Sequence, residues 1–245
     1  MQKEKIVEWI KNYFIENAAP DAVAVIGISG GKDSTIVAAL CVEALGAERV
    51  LGVLMPQGEQ SDIDVSYAVC EYLKIPWTKI NIGETVYSLY DAIHDGGGER
   101  KFRINGLAMM NTPARIRMTT LYAISSIVDG RVVNTCNACE TFVGWETKYG
   151  DSAGDFSPVG DLTVNELKSV GYELGLPDKF IEKIPLDGLC GKTDEEALGF
   201  TYEELDKFIH TGVCDNLETK EKILELHRQS EHKRNKMPMY IKSRF

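Results

Sequence analysis

Residues 23–45 constrain the fold more than any other stretch, because they place a glycine-bearing turn between two apolar segments. The β-branched run at 23–28 is typical of a strand buried on both faces, and an amphipathic helix is expected to begin near Ser34. Gly30 and Gly31 let the backbone approach a ligand closely, and the N-terminus of a helix favours an anion. The stretch therefore predicts a phosphate-binding turn.

The turn itself, Ser29-Gly-Gly-Lys-Asp-Ser34, matches neither of two common phosphate loops. The P-loop pattern needs glycine in place of Ile26 and serine or threonine in place of Asp33, and no register of the glycines gives G-x-G-x-x-G. A carboxylate in an anion-binding turn is unfavourable without a cation, so Asp33 indicates a metal ion, most simply Mg²⁺. The alternative is a strand–turn–helix unit with tolerated glycines and no ligand.

Composition limits the classes of function. The 245 residues, 44% of them hydrophobic, suffice for one substantial core, and we expect a single domain over residues 1–245. A formal charge of −10 argues against a general nucleic-acid or membrane surface. No apolar run has membrane length and the N-terminus leads directly into an amphipathic pattern, so a cytoplasmic location is expected.

The cysteines indicate neither a disulfide framework nor a metal site. The six cysteines are scattered rather than arranged as a secreted disulfide framework, and we expect most of them to be reduced. The lone Cys136-Asn-Ala-Cys139 is interpreted as two small residues after a strand, because no second pair is present for zinc.

Strand and helix patterns alternate along the first half of the chain. The four predicted strands lie at 23–28, 50–55, 77–82 and 131–134. Their alternation with helices predicts an α/β fold with a doubly wound parallel sheet flanked by helices, whose ligands bind at the carboxyl ends of the strands. Thr135 and Glu140 follow the fourth strand and are therefore expected near the glycine turn.

Local signals set several helix ends. A long helix is predicted from Asn111, with Pro113 in its first turn. Arg115 and Arg117 then lie about 200° apart on that helix, so they cannot both face one ligand. Capping boxes are predicted at 61–64, 163–166 and 201–204.

Polar loops interrupt the pattern. Residues 95–103 and 187–196 are glycine-containing loops that we interpret as candidate lids over a site. Residues 147–158 concentrate small and charged residues, which is unusual for a connector. The basic cluster at 230–238 is compatible with a ligand site or with a solvated tail.

Five motifs together resemble those of the NAD synthetase family, in the family's order over nearly the whole chain. They are Ser29-Gly-Gly-Lys-Asp-Ser34, Ala114-Arg-Ile-Arg-Met118, Thr147-Lys-Tyr-Gly-Asp151, Gly199-Phe-Thr-Tyr202 and His232-Lys233. The first motif is shared by the wider ATP pyrophosphatase superfamily, with its adenine nucleotide alpha hydrolase-like fold. The resemblance implies a homodimeric, ammonia-dependent ligase that converts deamido-NAD, ATP and ammonia to NAD, AMP and pyrophosphate through an adenylated intermediate.

The resemblance also implies site residues, carried over motif by motif. Asp33 and Glu140 would bind Mg²⁺, and Asp151 takes the position of the ammonia site. The implied ATP contacts are Gly27, Ile28, Ser29, Gly30, Gly31, Lys32, Asp33, Ser34 and Thr135. The implied deamido-NAD contacts are Arg115, Lys148, Asp155, His232 and Lys233.

The chain departs from the family's pattern at two implied ATP contacts. Val164 stands where a phosphate-contacting lysine is common, and Leu186 stands where serine or threonine is common. Lys192 is the candidate to supply the missing positive charge.

Three alternatives stay open. The chain could be another adenylating enzyme of the superfamily, such as a GMP-forming or tRNA-modifying one, although no basic RNA-binding extension is evident. It could be a nucleotide-binding regulatory protein without turnover, which loss of Asp33 or Glu140 would have favoured. Asp151 could serve only to cap its own loop.

Overall fold

A parallel four-stranded sheet forms the centre of the computed structural model, which describes residues 1–183 and 193–241. The strands are β1 (Ala24–Gly27), β2 (Val50–Leu54), β3 (Trp77–Lys79) and β4 (Arg131–Val132). Their order in the sheet is β3-β2-β1-β4, and all three pairings are parallel. The α/β fold with a parallel sheet is therefore confirmed, with each strand shorter than its sequence pattern predicted.

Helices flank the sheet and account for most of the remaining described chain. They are α1 (Gln2–Asn17), α2 (Lys32–Leu45), α3 (Ile63–Leu73), α4 (Gly83–His94), α5 (Gly106–Ile127), α6 (Ala138–Val143), α7 (Val164–Glu173), α8 (Asp178–Ile181), α9 (Asp194–Leu198), α10 (Tyr202–Thr211), α11 (Leu217–Gln229) and α12 (Glu231–Arg234). Within residues 1–183 and 193–241, no helix is both long and apolar enough to cross a membrane.

Alternate residues of β1 enter different layers of the core. Ala24 and Ile26 pack into a cluster formed with α1, α2 and α7, whereas Val25 packs into a second cluster with α4 and α5. This period of two is what a strand covered on both faces requires. Full burial of these three side chains explains why β1 is a continuous apolar run.

A third apolar cluster lies outside the sheet. It joins α6 to α10 and α11 through buried side chains that include Cys139, Leu205 and Ile223. Val164, at the first position of α7, is also buried in this cluster. The cluster fixes the segment after β4 against the C-terminal helices.

Three boundary predictions were wrong. The long helix begins at Gly106, because the Asn105 side chain accepts a hydrogen bond of 2.9 Å from the Ala108 N–H and caps it there. Pro113 therefore lies inside α5 rather than in its first turn. Helix α2 starts at Lys32 rather than near Ser34.

The third wrong boundary is the capping box at 61–64. Asp62 is the N-cap of α3, but its carboxylate accepts hydrogen bonds from Gln60 and Lys183 instead of capping the helix. The boxes at 163–166 and 201–204 are confirmed, since Glu166 and Glu204 each accept a hydrogen bond from the N-cap N–H at 2.9 Å.

Candidate active site

The strand order reverses at β1, which has β2 on one side and β4 on the other. The Ile28 N–H donates to the Val53 carbonyl and the Val133 N–H donates to the Val25 carbonyl, each at 3.0 Å, so pairing continues past the strand ends. The loops that leave β1 and β4 consequently emerge together. In open α/β sheets, a reversal of this kind opens a crevice at the carboxyl edge where ligands bind.

The turn after β1 is held by its own serines. The Ser29 and Ser34 hydroxyl oxygens lie 3.0 Å apart, and the Gly31 N–H donates to Ser29 Oγ at 3.2 Å. Gly30 has a φ of +77°, and a Cβ there would lie 3.1 Å from the Ser66 backbone nitrogen. Only glycine fits this position without strain. The turn is thus a hydrogen-bonded cradle directly before the N-terminus of α2.

Asn137 connects this turn to the loop after β4. Its side-chain amide donates to Asp33 Oδ1 at 2.8 Å, and its backbone N–H donates to Glu140 Oε2 at 2.9 Å. The Glu140 N–H donates back to Asn137 Oδ1 at 3.1 Å, which completes a capping box at the start of α6. The predicted proximity of Glu140 to the glycine turn is confirmed.

The two carboxylates repel each other. Glu140 is partly exposed as a residue, but its carboxyl group is surrounded by protein atoms. Burial, followed by the nearby Asp33 charge, raises the pKa of Glu140 well above its usual range. A cation beside both groups would relieve this repulsion, and carboxylate oxygens are the donors that Mg²⁺ prefers.

Asp33 and Glu140 offer the type of oxygen donor that the predicted divalent cation prefers. Across residues 1–183 and 193–241, no cluster of three or more histidine, cysteine or acidic side chains is arranged to hold a metal ion. A Mg²⁺ ion bound here would accordingly depend on phosphate oxygens or water for its other ligands.

Lys32 already contributes a positive charge beside this pair. Its side-chain nitrogen lies 3.0 Å from Asp33 Oδ2 and 5.6 Å from the centre of the Tyr202 ring. Burial opposes the charged form, but the carboxylates of Asp33 and Glu140 outweigh it and raise the pKa of Lys32. The Tyr202 hydroxyl donates to Asp194 Oδ2 at 3.2 Å, so α9 and α10 close this side of the site.

Asp151 is accessible to solvent within the same region. Its carboxylate accepts the Thr147 N–H at 3.1 Å, and its carbonyl accepts the Asn134 side-chain amide at 2.8 Å. Burial among surrounding protein atoms raises the pKa of Asp151, although the hydrogen bonds from its own and the Thr147 backbone oppose the rise. Capping of its loop is therefore observed, and the carboxylate remains reachable by a small ligand.

Four residues of the implied deamido-NAD set lie together. Arg115 Nε donates to the Lys148 carbonyl at 3.2 Å, and the Lys148 ammonium donates to the His232 carbonyl. Lys233 donates to the Gly144 carbonyl at 2.8 Å and to the Glu146 carbonyl at 2.6 Å. Lys148 and Lys233 line a cavity of about 410 Å³. The cluster gives this edge of the site positive charge.

Asp155, the fifth member of that set, has different partners. Its Oδ2 accepts the Val132 N–H at 2.7 Å, and its Oδ1 accepts the Tyr122 hydroxyl at 3.4 Å. These bonds fasten the edge of β4 to the loop and to α5. The structure does not bring the Asp155 carboxylate into hydrogen-bond contact with the other four residues.

Of the remaining positions at which the resemblance implies or questions an ATP contact, two lie within the described residues and two lie outside them. Thr135 is partly exposed just beyond β4, on the side where the glycine turn lies. Val164 is buried and apolar, so it offers a phosphate no charge. Leu186 and Lys192, together with most of the candidate lid at 187–196, lie outside the described residues.

Sequence reasoning missed three residues of the site. No sequence motif assigns a ligand contact to Asn137 or Arg117, and Tyr202 enters only as the last residue of Gly199-Phe-Thr-Tyr202. The Arg117 guanidinium donates from Nε to the Met55 carbonyl at 3.0 Å, at the carboxyl end of β2. The angular separation of Arg115 and Arg117 predicts that they do not face one ligand. Their guanidinium groups do contact different segments, the Lys148 carbonyl and the Met55 carbonyl.

The whole chain matches one protein family. The family model described as NAD synthase matches residues 2–245. An NH(3)-dependent NAD(+) synthetase of Methanococcoides burtonii is 42% identical over 76% of this chain and 70% of its own length. That of Methanocaldococcus jannaschii is 36% identical over 96% of this chain and 94% of its own length.

Solved structures agree with this match. The NMN synthetase of Francisella tularensis superposes with a TM-score of 0.86 at 29% identity, covering 100% of this chain and 98% of that chain. The NH3-dependent NAD synthetase of Campylobacter jejuni has a TM-score of 0.77 at 26% identity, covering 98% of this chain and 97% of that chain.

Proposed function

This chain belongs to the NAD synthase family, and we propose that it catalyses the ATP-dependent amidation of deamido-NAD with ammonia. The products are NAD, AMP and pyrophosphate, so the enzyme is a carbon–nitrogen ligase. The observation that carries the proposal is the Asp33–Asn137–Glu140 bridge beside the glycine turn, in a chain that the family matches over residues 2–245.

The first half-reaction joins two anions. The nicotinate carboxylate attacks the α-phosphorus of ATP, and the bond to the bridging oxygen of pyrophosphate breaks. Asp33 and Glu140 would hold Mg²⁺, which when bound offsets the negative charge of the phosphates. Residues 29–34 position the leaving pyrophosphate through backbone N–H groups and the two serine hydroxyls, and Thr135 borders the same nucleotide site.

The second half-reaction requires neutral ammonia. At neutral pH the solution species is mainly ammonium, which must lose a proton before its nitrogen can attack the adenylated carboxyl carbon. Asp151 offers an accessible carboxylate that binds the cation and accepts this proton. Attack then expels AMP and forms the amide. The oriented Thr147 N–H keeps the carboxylate in one position.

The dinucleotide needs a positively charged binding surface. We assign it to Arg115, Lys148, His232 and Lys233, which the structure clusters beside a cavity. Asp155 remains a proposed contact, with its Oδ2 already engaged by Val132. Replacement of Lys148 would raise the KM for deamido-NAD and leave the KM for ATP unchanged.

A homodimer in the cytoplasm is the proposed working form. Among the apolar residues Leu121, Ile124 and Ile127 of α5, Leu121 is buried in this chain's own core and is not available to a partner. Ile127 is 81% exposed, and Leu107 and Met110 on the same helix are also exposed. Leu107 and Met110 are three residues apart and share one face at the start of α5, and we propose that a second copy covers this face. Sedimentation showing only a 27.2 kDa species at micromolar concentration would contradict the dimer.

A second candidate substrate is the nicotinic acid mononucleotide. The specific observation is the structural likeness to the NMN synthetase of Francisella tularensis. The same chemistry would amidate the same nicotinate carboxyl, and the two substrates differ by an adenylyl group. Measuring kcat/KM for both substrates under identical ammonium and ATP concentrations decides between them.

A further inference from the structure

Lys32 occupies an uncommon environment for a lysine. The residue is only 5% exposed, at the first position of α2, directly after the Gly30-Gly31 turn. Its nitrogen lies 3.0 Å from Asp33 Oδ2 and faces the Tyr202 ring. The carboxylates of Glu140 and Asp194 are close enough to act on its charge. A buried ammonium is stable only with such partners.

Both oxygens of Asp33 are engaged. Oδ1 accepts the Asn137 amide at 2.8 Å, and Oδ2 accepts the Lys32 ammonium at 3.0 Å. Glu140 Oε2 similarly accepts the Asn137 N–H. The acidic pair therefore has a cation beside it in the protein alone. A divalent ion that approaches Asp33 without a nucleotide meets a neighbouring positive charge and an occupied oxygen.

We propose that Lys32 is the resident counter-ion of Asp33 and Glu140, and that it makes the protein bind its divalent cation together with the nucleotide rather than before it. This inference rests on the proposed assignment of Asp33 and Glu140 as metal ligands. Phosphate oxygens on the Gly30-Gly31 turn give the Lys32 ammonium a second anionic partner, because the lysine directly follows that turn. Nucleotide and metal then favour each other's binding.

The test is the affinity for Mn²⁺ alone, measured by electron paramagnetic resonance of the free ion without nucleotide. Lys32→Met removes the charge and keeps the length of the side chain. It should bind Mn²⁺ roughly tenfold or more tightly than the wild-type protein does. Lys32→Arg keeps the charge and should resemble wild type. Lys207→Met is the matched control, because it removes a lysine whose ion pair with Asp215 is exposed.

A second arm separates this inference from the metal-site assignment. With α,β-methylene-ATP, which cannot be cleaved at the reacting bond, wild type should bind Mn²⁺ more tightly than without it, and the gain should be smaller in Lys32→Met. Asp33→Asn should bind Mn²⁺ weakly in both conditions. If Asp33→Asn binds like wild type, the metal-ligand assignment is wrong.

Two results would overturn the role of Lys32 while leaving the metal site intact. One is a Lys32→Met protein that binds Mn²⁺ without nucleotide no more tightly than Lys207→Met. The other is an unchanged gain from the nucleotide analogue. Lys32→Gln, which retains polarity at the buried position, is measured in parallel so that poor folding of the methionine variant does not decide the outcome.

Discussion

The Asn137 side-chain amide donates a 2.8 Å hydrogen bond to Asp33 Oδ1 across a separation of 104 residues in the chain. Asn137 is fully buried, and its backbone N–H also donates a hydrogen bond to Glu140 Oε2. Asn137 thereby orients two carboxylates that lie in the first turns of two different helices, α2 and α6. The relation couples the turn after β1 to the start of α6, and the chemistry proposed here depends on that coupling.

Asn137→Ala should lower turnover by roughly 10- to 100-fold, because partners that orient metal ligands commonly contribute that much. The Mg²⁺ concentration for half-maximal activity should rise, while the KM for deamido-NAD stays near wild type. Steady-state kinetics across a Mg²⁺ series measures both. Asn17→Ala is the control, since the Asn17 side-chain amide donates to the Tyr13 carbonyl at the exposed end of α1 and the substitution keeps the Asn17 backbone. An unchanged Mg²⁺ dependence would show that Asn137 does not orient the pair.

Gly30→Ala should weaken ATP binding and destabilise the protein by about 1–2 kcal/mol or more, because alanine is disfavoured at a φ of +77° and its Cβ meets Ser66. Gly58→Ala is a matched control, with a φ of +78° and no atom within 4 Å of the added Cβ. Urea unfolding and ATP titration compare the two variants. Equal loss of ATP affinity in both would contradict a special role for the turn at Gly30.

Asp151→Asn should reduce turnover with ammonium by about 10²- to 10⁴-fold, a range typical of general acid–base catalysis. Binding of ATP and deamido-NAD should change little, and higher pH should partly restore the rate by supplying neutral ammonia. Burial raises the pKa of Asp151. The active carboxylate is therefore lost as pH falls through that raised value, and wild-type activity should fall with it.

The asparagine variant should lack this acid-side step in a pH profile of kcat/KM for ammonium. Poor binding of both nucleotides combined with a wild-type pH profile would show that Asp151 only caps its loop through the Thr147 N–H.

The sheet could be predicted from sequence because its signals are local. Ala24, Val25 and Ile26 are buried on both faces, so they form an unbroken apolar run that needs no knowledge of the partners. The predicted start of α5 was wrong because it places Pro113 in the first helical turn. The helix is capped by Asn105, and Pro113 lies inside it.

The chemistry of the site was only partly predictable. A carboxylate within a phosphate-binding turn indicates a cation, so Asp33 predicts a metal ion. This prediction requires only the sequence of residues 29–34. The Asn137 bridge and the Lys32–Tyr202 contact arise only when distant segments pack, so no periodicity or spacing encodes them. Asp155 is a different case, because a motif position implies a ligand contact, whereas the structure shows its Oδ2 accepting a hydrogen bond from the Val132 N–H. The implied contact stays a prediction.

The central claim is tested most directly by incubating the purified protein with ATP, Mg²⁺, ammonium and deamido-NAD, and quantifying all products. We expect NAD, AMP and pyrophosphate in equal amounts, with no reaction when glutamine replaces ammonium. A parallel incubation with nicotinic acid mononucleotide should proceed less efficiently. Formation of no NAD under these conditions, or a clear preference for the mononucleotide, would contradict the assignment of deamido-NAD as the substrate.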